Sequence, residues 1–346
     1  MSQSVLPAYG LHEESLKMES FGSGLINRTW KITTPENEYI LQRVNQTVFE
    51  KPGKIAANIR QIAAYLKEKH PDYNFVAPLA SSDGSEMIYV KDEGFFRLFP
   101  FVAGSHSKDV VDCPGQAYEA ARQFGRFTRM LSGLDVTKLE VTIPSFHDLS
   151  LRYHQFLEAL ETGNKQRRHE SRRLVDKLFD YDGTVTQYEA IRKNPNFKLR
   201  VTHHDTKISN VLFDEGNKGI CVIDLDTVMP GYFISDVGDM MRTYLSPVSE
   251  EEKDTAKVVV RDDFYKAVVE GYYSEMKDEL TPDEKACFFY AGKFMIYMQA
   301  LRFFTDHLNN DVYYGARYEG HNLVRAQNQL ALLERLLEKE HSLMRL

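Results

Sequence analysis

The clearest indication of chemistry in this chain is a set of acidic, basic and amide side chains on short apolar segments. The segment His203-His204-Asp205-Thr206-Lys207-Ile208-Ser209-Asn210 places an acid, a cation and an amide at fixed spacing. A second acidic pair, Asp224 and Asp226, follows the apolar run from Ile220 to Ile223. Phosphoryl transfer needs a carboxylate for the acceptor hydroxyl and hard oxygen ligands for a divalent ion on the phosphates. These residue types therefore indicate phosphoryl transfer.

Each of these side chains has a role that its chemistry allows. We expect Asp205 to orient the acceptor hydroxyl and Lys207 to meet the transferred phosphoryl oxygens. Asn210 and Asp224 offer an amide oxygen and a carboxylate to a metal, and Asp226 is either a further metal ligand or the anchor of the next turn. The segment shares its leading His, its Asp, its loop length and its closing Asn with the kinase pattern H-R-D-L-x-x-x-N. Loop and cap residues of an unrelated fold are the plainer alternative.

A phosphatase is the sharper rival interpretation. An apolar run that ends in Asp-Leu-Asp-Thr also resembles the opening motif of haloacid-dehalogenase-type phosphatases, in which the first Asp is a nucleophile. That motif usually lies near the start of its domain, whereas this one begins at Asp224, and the Gly expected before the Thr is missing. The phosphatase interpretation also leaves Asp205 and Asn210 without a function. The kinase interpretation is therefore favoured.

Composition and charge restrict the class of protein. The chain has 346 residues, of which 42% are hydrophobic and 27% charged, so we expect a globular protein of two lobes or domains. A net charge of -7 disfavours nucleic acid as a partner. The N-terminus lacks the pattern of a signal peptide, and no apolar run approaches the roughly 18 residues of a membrane helix. Three dispersed cysteines indicate neither a disulfide framework nor a zinc site, so a cytoplasmic location is expected.

The hydrophobic pattern changes near residue 104. Residues 1–103 predict a small antiparallel β lobe with one helix from Ile55 to Lys69, and this lobe would bind the nucleotide. Residues 104–346 predict a larger, mainly helical lobe that carries the catalytic loop and the acceptor site. Its helices are predicted at residues 117–131, 151–161, 172–179, 181–192, 262–277, 282–307 and 321–339. This α+β arrangement allows a nucleotide to bind in a cleft.

Several motifs resemble one enzyme superfamily over nearly the whole chain. RVTHHDTKISNVL, IDLDTVMPG, RFFTDHLNNDVYY and YEGHNLVRAQNQ resemble the aminoglycoside phosphotransferase and choline kinase-like superfamily, and within it the bacterial N-acetylhexosamine 1-kinases. FGSGLINRTW, YILQRVN and SFHD match more loosely. The resemblance implies a two-lobed, protein-kinase-like fold with ATP and Mg²⁺. It also implies phosphorylation of the anomeric hydroxyl of N-acetylglucosamine or N-acetylgalactosamine, which gives the sugar 1-phosphate.

The resemblance also implies an acceptor site. Arg302 and Tyr313 stand where similar enzymes contact the sugar, and Asn27 is a third expected substrate contact. An arginine offers fixed donors to sugar or acetamide oxygens, and a tyrosine offers a ring face with a hydroxyl. A surface ion pair for the arginine and a core position for Tyr313 are the alternatives.

The expected nucleotide site departs from the wider kinase pattern at one point. The Lys that kinases carry on the third strand is absent, so Gln42 or Arg43 substitutes for it, or the metal and Lys207 neutralise the phosphates. The helix also has Asn58 where an acidic partner is expected. The other expected nucleotide contacts are the glycine turn Gly22, Ser23 and Gly24 over the phosphates, and Phe99 and Phe101 of the adenine hinge.

Three functions stay open beside the sugar kinase. A related kinase could act on N-acetylmuramate, an amino alcohol or an aminoglycoside, and the acidic pair Asp236 and Asp239 could bind an amine. A non-catalytic nucleotide-binding protein and the phosphatase are the others. The pattern does not indicate an oligomeric state.

Overall fold

The computed structural model describes residues 2–12, 16–22 and 26–345, and the elements of this part of the chain are as follows. The strands are β1 Lys17–Ser20, β2 Arg28–Thr33, β3 Glu38–Arg43, β4 Ile88–Val90, β5 Gly94–Pro100, β6 Arg200–Thr202, β7 Val211–Phe213, β8 Gly219–Val222 and β9 Met229–Gly231. The α-helices are α1 Pro52–Lys69, α2 Pro114–Met130, α3 Leu149–Thr162, α4 Lys165–Glu170, α5 Arg172–Phe179, α6 Gly183–Lys193, α7 Phe233–Tyr244, α8 Asp262–Met276, α9 Pro282–Lys285, α10 Phe288–Leu308, α11 His321–Glu338 and α12 Glu340–Leu343. Short 3-10 helices cover Ser2–Tyr9, Val136–Lys138, Ile208–Asn210, Leu225–Thr227 and Thr255–Lys257.

The first compact unit, the sheet unit, contains Met1–Asp109, Met130–Pro144 and Ser209–Pro230. Its antiparallel sheet has the strand order β1-β2-β3-β5-β4. Alternate residues of each strand point to the same face of a sheet, so the apolar residues of neighbouring strands form one core. The buried residues of this core are Val5, Leu6, Ile32, Leu41, Phe96 and Leu98.

Helix α1 of the sheet unit has the apolar face that its sequence predicts. Pro52 lies in its first turn, where the missing backbone N–H costs nothing. Its buried residues are Pro52, Ile55, Asn58, Ile59, Ile62 and Leu66, which recur at helical spacing. Asn58 is the only polar member of this buried face, so its amide needs partners within the protein.

A small hairpin of the sheet unit carries the expected metal ligands. Strands β7 and β8 are antiparallel, and Val211 lies opposite Val222. A bridge between His106 and Phe213 attaches the hairpin to the chain after the sheet. Asn210 immediately precedes β7 and Asp224 follows β8, so both residues lie at the same end of this antiparallel hairpin.

The second compact unit, the helical unit, contains Val110–Arg129, Ser145–Ile208 and Gly231–Leu346. Helix α10 packs against α3, α7 and α11, and it is buried along most of its length. Gly238 allows α7 to approach α10 closely, because a Cβ at this position would lie 2.3 Å from the carbonyl oxygen of Ala291. The helical unit is thus built around one central helix.

Two helices of this unit differ from the sequence-based expectation. Helix α7 was not predicted at all. The single helix predicted at residues 282–307 is two helices, because Thr281 and Glu284 form a capping box at α9 and the longer α10 begins separately at Phe288. Among the described residues, we find no helix with the length and apolar character that crossing a membrane requires.

Candidate active site

The end of the β7–β8 hairpin brings Asn210 and Asp224 close in the backbone. The backbone N–H of Ile223 donates to the carbonyl oxygen of Asn210 at 2.9 Å, so the residue before Asp224 is tied to Asn210. Asp224 has φ 59° and ψ 66°, a left-handed conformation that is uncommon for residues other than glycine. Such backbone conformations concentrate at functional sites. An amide and a carboxylate at this turn are the hard oxygen donors that suit Mg²⁺.

Asp226 belongs to a buried network that the sequence did not predict. Its Oδ1 forms an ion pair with Nη1 of Arg97 at 2.5 Å, and its Oδ2 accepts from Nδ2 of Asn27 at 2.8 Å. The Arg97 and Asp226 side chains are only 1% and 3% exposed. Oδ1 of Asn27 in turn accepts from the backbone N–H of Asn45 at 3.0 Å. Asn27, expected as a substrate contact, is thus held in the sheet unit by Asp226 and Asn45.

Gln42, one candidate for the position of the kinase strand lysine, and Asn58 of helix α1 both have hydrogen-bond partners in the sheet unit. Gln42 lies opposite Arg97 in the sheet, and its Oε1 accepts from Arg97 Nη2 at 2.9 Å. Nδ2 of Asn58 donates to the carbonyl oxygens of Glu140 at 2.8 Å and Val228 at 3.0 Å. Sequence reasoning missed Arg97, although a lone charge inside the apolar strand GFFRLFP was a usable signal.

The catalytic loop in the helical unit pairs Asp205 with Lys207. Nζ of Lys207 lies 3.0 Å from Oδ1 of Asp205, which is 21% exposed. Burial favours the protonated form of Asp205, but the charge and hydrogen bond of Lys207 outweigh it, so the pKa of Asp205 lies below its usual value. Asp205 is therefore a carboxylate at neutral pH.

Helix α7 supports the backbone of this loop. The carboxylate of Asp236 accepts from the backbone N–H groups of His203 at 2.9 Å and His204 at 2.7 Å. Asp239 accepts from the backbone N–H of Thr206 at 2.8 Å. His204 has φ 65°, so the residue before Asp205 is also left-handed. Both acids of α7 are buried and bind the loop, which corrects the suggestion that they could bind an amine.

Arg302 lies in an aromatic pocket of the helical unit. Its guanidinium is 5.6 Å from the ring of Phe146, 6.0 Å from that of Tyr313 and 5.5 Å from that of Tyr314. The ring of Phe146 also lies 6.4 Å from that of His204, the residue before Asp205. The structure therefore brings Arg302 and Tyr313 together on the side of the helical unit that carries the catalytic loop.

The arginines around this pocket differ in their charge partners. Glu250 pairs with Arg242 at 2.8 Å, and its Oε1 accepts from Nε of Arg325 at 3.2 Å. In the part of the chain that the structure describes, no carboxylate lies within ion-pair distance of Arg152 or Arg302. Burial lowers the pKa of Arg152, and the nearby charge of Arg302 lowers it further. Both guanidiniums have uncharged partners instead, since Arg152 donates to the carbonyl oxygen of Ser145 at 3.1 Å and Arg302 donates to Oε1 of Gln299 at 3.1 Å.

The remaining expected nucleotide contacts lie in the sheet unit. Gly22 has φ 79°, as a tight turn requires, while Ser23 and Gly24 lie outside the described residues. Arg43 lies opposite Phe96 in the sheet. Strand β5 includes Phe99, and the backbone N–H of Phe101 donates to the carbonyl oxygen of Glu38 at 3.1 Å. The hinge function of these two residues stays a prediction.

The fold is that of a kinase-like phosphotransferase, with a small antiparallel sheet lobe and a larger helical lobe. The sequence model of the phosphotransferase enzyme family (APH) matches residues 17–271. This is well over half of the chain, and the protein belongs to that family.

Solved structures of low sequence identity have the same fold. A microcompartment-associated aminopropanol kinase is 17% identical with a TM-score of 0.65, over 98% of this chain and 97% of that one. A spectinomycin phosphotransferase in complex with ADP and spectinomycin is 11% identical with a TM-score of 0.62, over 98% and 97%. An amicoumacin kinase in complex with AMP-PNP and Ca²⁺ is 15% identical with a TM-score of 0.63, over 96% and 93%. At these identities the likeness shows the protein-kinase-like fold.

Proposed function

We propose that the protein is an ATP-dependent kinase that phosphorylates the anomeric hydroxyl of an N-acetylhexosamine. The observation that carries the choice of acceptor is the pair Arg152 and Arg302, which have no carboxylate partner among the described residues. Donors of this kind suit an acetamide or hydroxyl oxygen, and the rings of Phe146 and Tyr313 suit a sugar face. The sugar-kinase motifs quoted above support the same acceptor.

The residues of the chain divide the work of phosphoryl transfer between them. Asp205 is ionised and accepts the hydrogen bond of the acceptor hydroxyl, which orients the oxygen for attack. Lys207 offsets charge on the transferred phosphoryl group. Asn210 and Asp224 would hold Mg²⁺, which would neutralise charge on the phosphates. The ADP and the AMP-PNP with Ca²⁺ in two related structures support ATP and a divalent cation here.

Charge separates this proposal from an amine kinase. The names of the related aminopropanol kinase and choline/ethanolamine kinase family protein refer to amino alcohols, which carry an ammonium group at neutral pH. Such a group beside two unpaired guanidiniums is disfavoured by several kcal/mol. The carboxylate of N-acetylmuramate would be attracted by the same guanidiniums, so this sugar acid is the second candidate.

An acceptor panel with matched charges tests the proposal. ADP release would be measured with ATP, Mg²⁺ and N-acetylglucosamine, N-acetylgalactosamine, N-acetylmuramate, glucosamine, choline or an aminoglycoside. Glucosamine is the sharpest control, because it replaces the acetamide by an ammonium group on the same ring. We expect its kcat/KM to be about 10²-fold below that of N-acetylglucosamine. Preference for choline, glucosamine or the aminoglycoside would refute the proposed acceptor.

A further inference from the structure

The ion pair between Arg97 and Asp226 is the most deeply buried charged contact of the sheet unit. Removing two charges from water is costly, and their attraction repays the cost only with good geometry and additional hydrogen bonds. Nη1 of Arg97 lies 2.5 Å from Oδ1 of Asp226, and each side chain has an additional amide hydrogen-bond partner, Gln42 for Arg97 and Asn27 for Asp226. A pair with this many partners fixes two segments of the chain to each other.

The Arg97–Asp226 ion pair joins strand β5 to the turn that follows Asp224. Helix α1 makes a second contact near this turn, because Nδ2 of Asn58 donates to the carbonyl oxygen of Val228. In protein kinases the third strand and the helix are joined by a lysine and a glutamate. Here the corresponding residues, Gln42 and Asn58, are uncharged, and the ion pair lies one strand away at Arg97.

We propose that Arg97 and Asp226 are a positioning pair that replaces the strand–helix ion pair and fixes the turn from Asp224 to Thr227. Asp226 is then the counter-ion of Arg97 and not a second metal ligand. Its Oδ1 is engaged by Arg97 and its Oδ2 by Asn27. The left-handed Asp224 lies two residues before Asp226, so holding Asp226 limits the orientations of the Asp224 carboxylate. The part of this inference that concerns the metal rests on the proposed function.

The test uses substitutions that remove the charge and keep a polar side chain. Arg97→Gln and Asp226→Asn each leave one buried charge without its partner, whereas the double variant leaves none. Arg60→Gln is the matched control, since Arg60 forms an exposed ion pair with Glu86 in the same unit. Asp224→Asn serves as the reference for the loss of a metal ligand. Two quantities would be measured without any acceptor, namely the melting temperature and the Mg²⁺ concentration for half-maximal binding of ADP.

A positioning pair predicts rescue by the second substitution. Each single variant lowers the melting temperature by about 5–10 °C, the double variant recovers at least half of that loss, and Arg60→Gln changes it by less than about 2 °C. Asp226→Asn raises the required Mg²⁺ concentration by about tenfold, and the double variant returns it towards the wild-type value. Asp224→Asn, by contrast, stays defective in Mg²⁺-dependent binding.

Two results would overturn the inference. Melting temperatures that fall additively in the double variant would show that Arg97 and Asp226 are not coupled. A Mg²⁺ requirement as high in the double variant as in Asp226→Asn would identify Asp226 as a metal ligand. Neither readout involves a sugar, so failure of the acceptor panel and failure of this inference are distinguishable.

Discussion

At the scale of single residues, the chemistry depends on side chains that the sequence identified and on environments that it did not. The spacing of Asp205, Lys207 and Asn210 was sufficient to predict phosphoryl transfer. The left-handed backbone of Asp224 could not be predicted, because tertiary contacts impose it on a residue that ordinarily avoids it. The charge partner of Asp226 was equally hidden, since Arg97 lies far away in sequence and close in the fold.

Replacing Asp205 tests the catalytic carboxylate. Asp205→Asn keeps the shape but cannot accept the acceptor proton, so we expect kcat to fall by a factor on the order of 10² to 10⁴ while the KM for ATP changes little. Steady-state ADP release with the best acceptor would measure both constants. Asp176→Asn, on the exposed face of α5, is the control and should match wild type. Near-normal turnover of Asp205→Asn would remove Asp205 from the mechanism.

Replacing Arg302 tests how the acceptor is selected. Arg302→Met keeps a long side chain over the aromatic rings but removes the charge. We expect kcat/KM for N-acetylglucosamine to fall by about 10–100-fold and the discrimination against glucosamine to shrink. The diagnostic quantity is the ratio of kcat/KM for N-acetylglucosamine to kcat/KM for glucosamine. Arg173→Met, at an exposed position of α5, is the control and should leave this ratio unchanged. An unchanged ratio would show that the guanidinium does not select by charge.

At the scale of elements, helix α7 is the support that sequence reasoning missed. Its apolar residues Phe233, Val237, Met240, Met241 and Tyr244 recur at helical spacing, so the sequence FISDVGDMMRTY carried a usable helix signal. Its polar face is also buried and carries the two acids Asp236 and Asp239. These two acids lie some thirty residues after the loop that contains Asp205. Their burial is explained by the hydrogen bonds that they accept from backbone N–H groups of this loop. The antiparallel strands and α1 were predictable because their apolar residues alternate or recur regularly.

A close approach near the start of α7 gives one prediction for this element. A Cβ at Gly231 would lie 2.3 Å from Oγ1 of Thr202 and 2.5 Å from Cε1 of His204. Gly231→Ala should therefore displace the catalytic loop, cost about 1–3 kcal/mol of unfolding free energy and lower kcat. Denaturant unfolding and ADP release would measure the two effects. Gly183→Ala, which meets nothing within 4 Å, should leave both unchanged, and equal behaviour of the two variants would contradict the account.

The pH dependence of stability gives another prediction for α7. Burial raises the pKa of Asp236 to about 7, and the nearby charge of Asp239 also raises it. The hydrogen bonds from the backbone N–H groups of His203 and His204 favour the anion and act in the opposite direction. Tyr272 of α8 also faces this carboxyl. Because the folded pKa is raised, the stability linked to the Asp236 proton is complete below about pH 4 and is lost as pH rises through about 7.

Unfolding measurements at several pH values would test this linkage. The free energy of unfolding of wild type minus that of Asp236→Asn should decrease between about pH 5 and 8, because the variant has no proton to release at this position. Asp283→Asn is a suitable control, because Asp283 of α9 is only partly buried and its hydrogen bonds from Asn196 and Asn194 lower its pKa, so it should show no such trend over this range. A difference that stays constant with pH for Asp236→Asn would contradict the raised pKa.

At the scale of the whole molecule, the residues to which we assign a function are distributed over both units. The sheet unit holds Asn210, Asp224 and the pair Arg97 and Asp226, and the helical unit holds Asp205 and the arginines of the acceptor pocket. The class of enzyme followed from the sequence because its catalytic residues are close together along the chain. The choice between a sugar and an amine did not follow, because in our proposal it depends on which arginines find a carboxylate in the folded chain. The single boundary predicted after residue 103 stays a prediction.

The position of the phosphate on the product tests the central claim most directly. The protein would be incubated with ATP, Mg²⁺ and N-acetylglucosamine or N-acetylgalactosamine, and the product examined by phosphorus NMR with coupling to hydrogen. We predict a sugar phosphate whose phosphorus couples to the anomeric proton, formed together with one ADP per sugar. A phosphate on another hydroxyl, or ADP release no faster than without the sugar, would contradict the assignment as an N-acetylhexosamine 1-kinase.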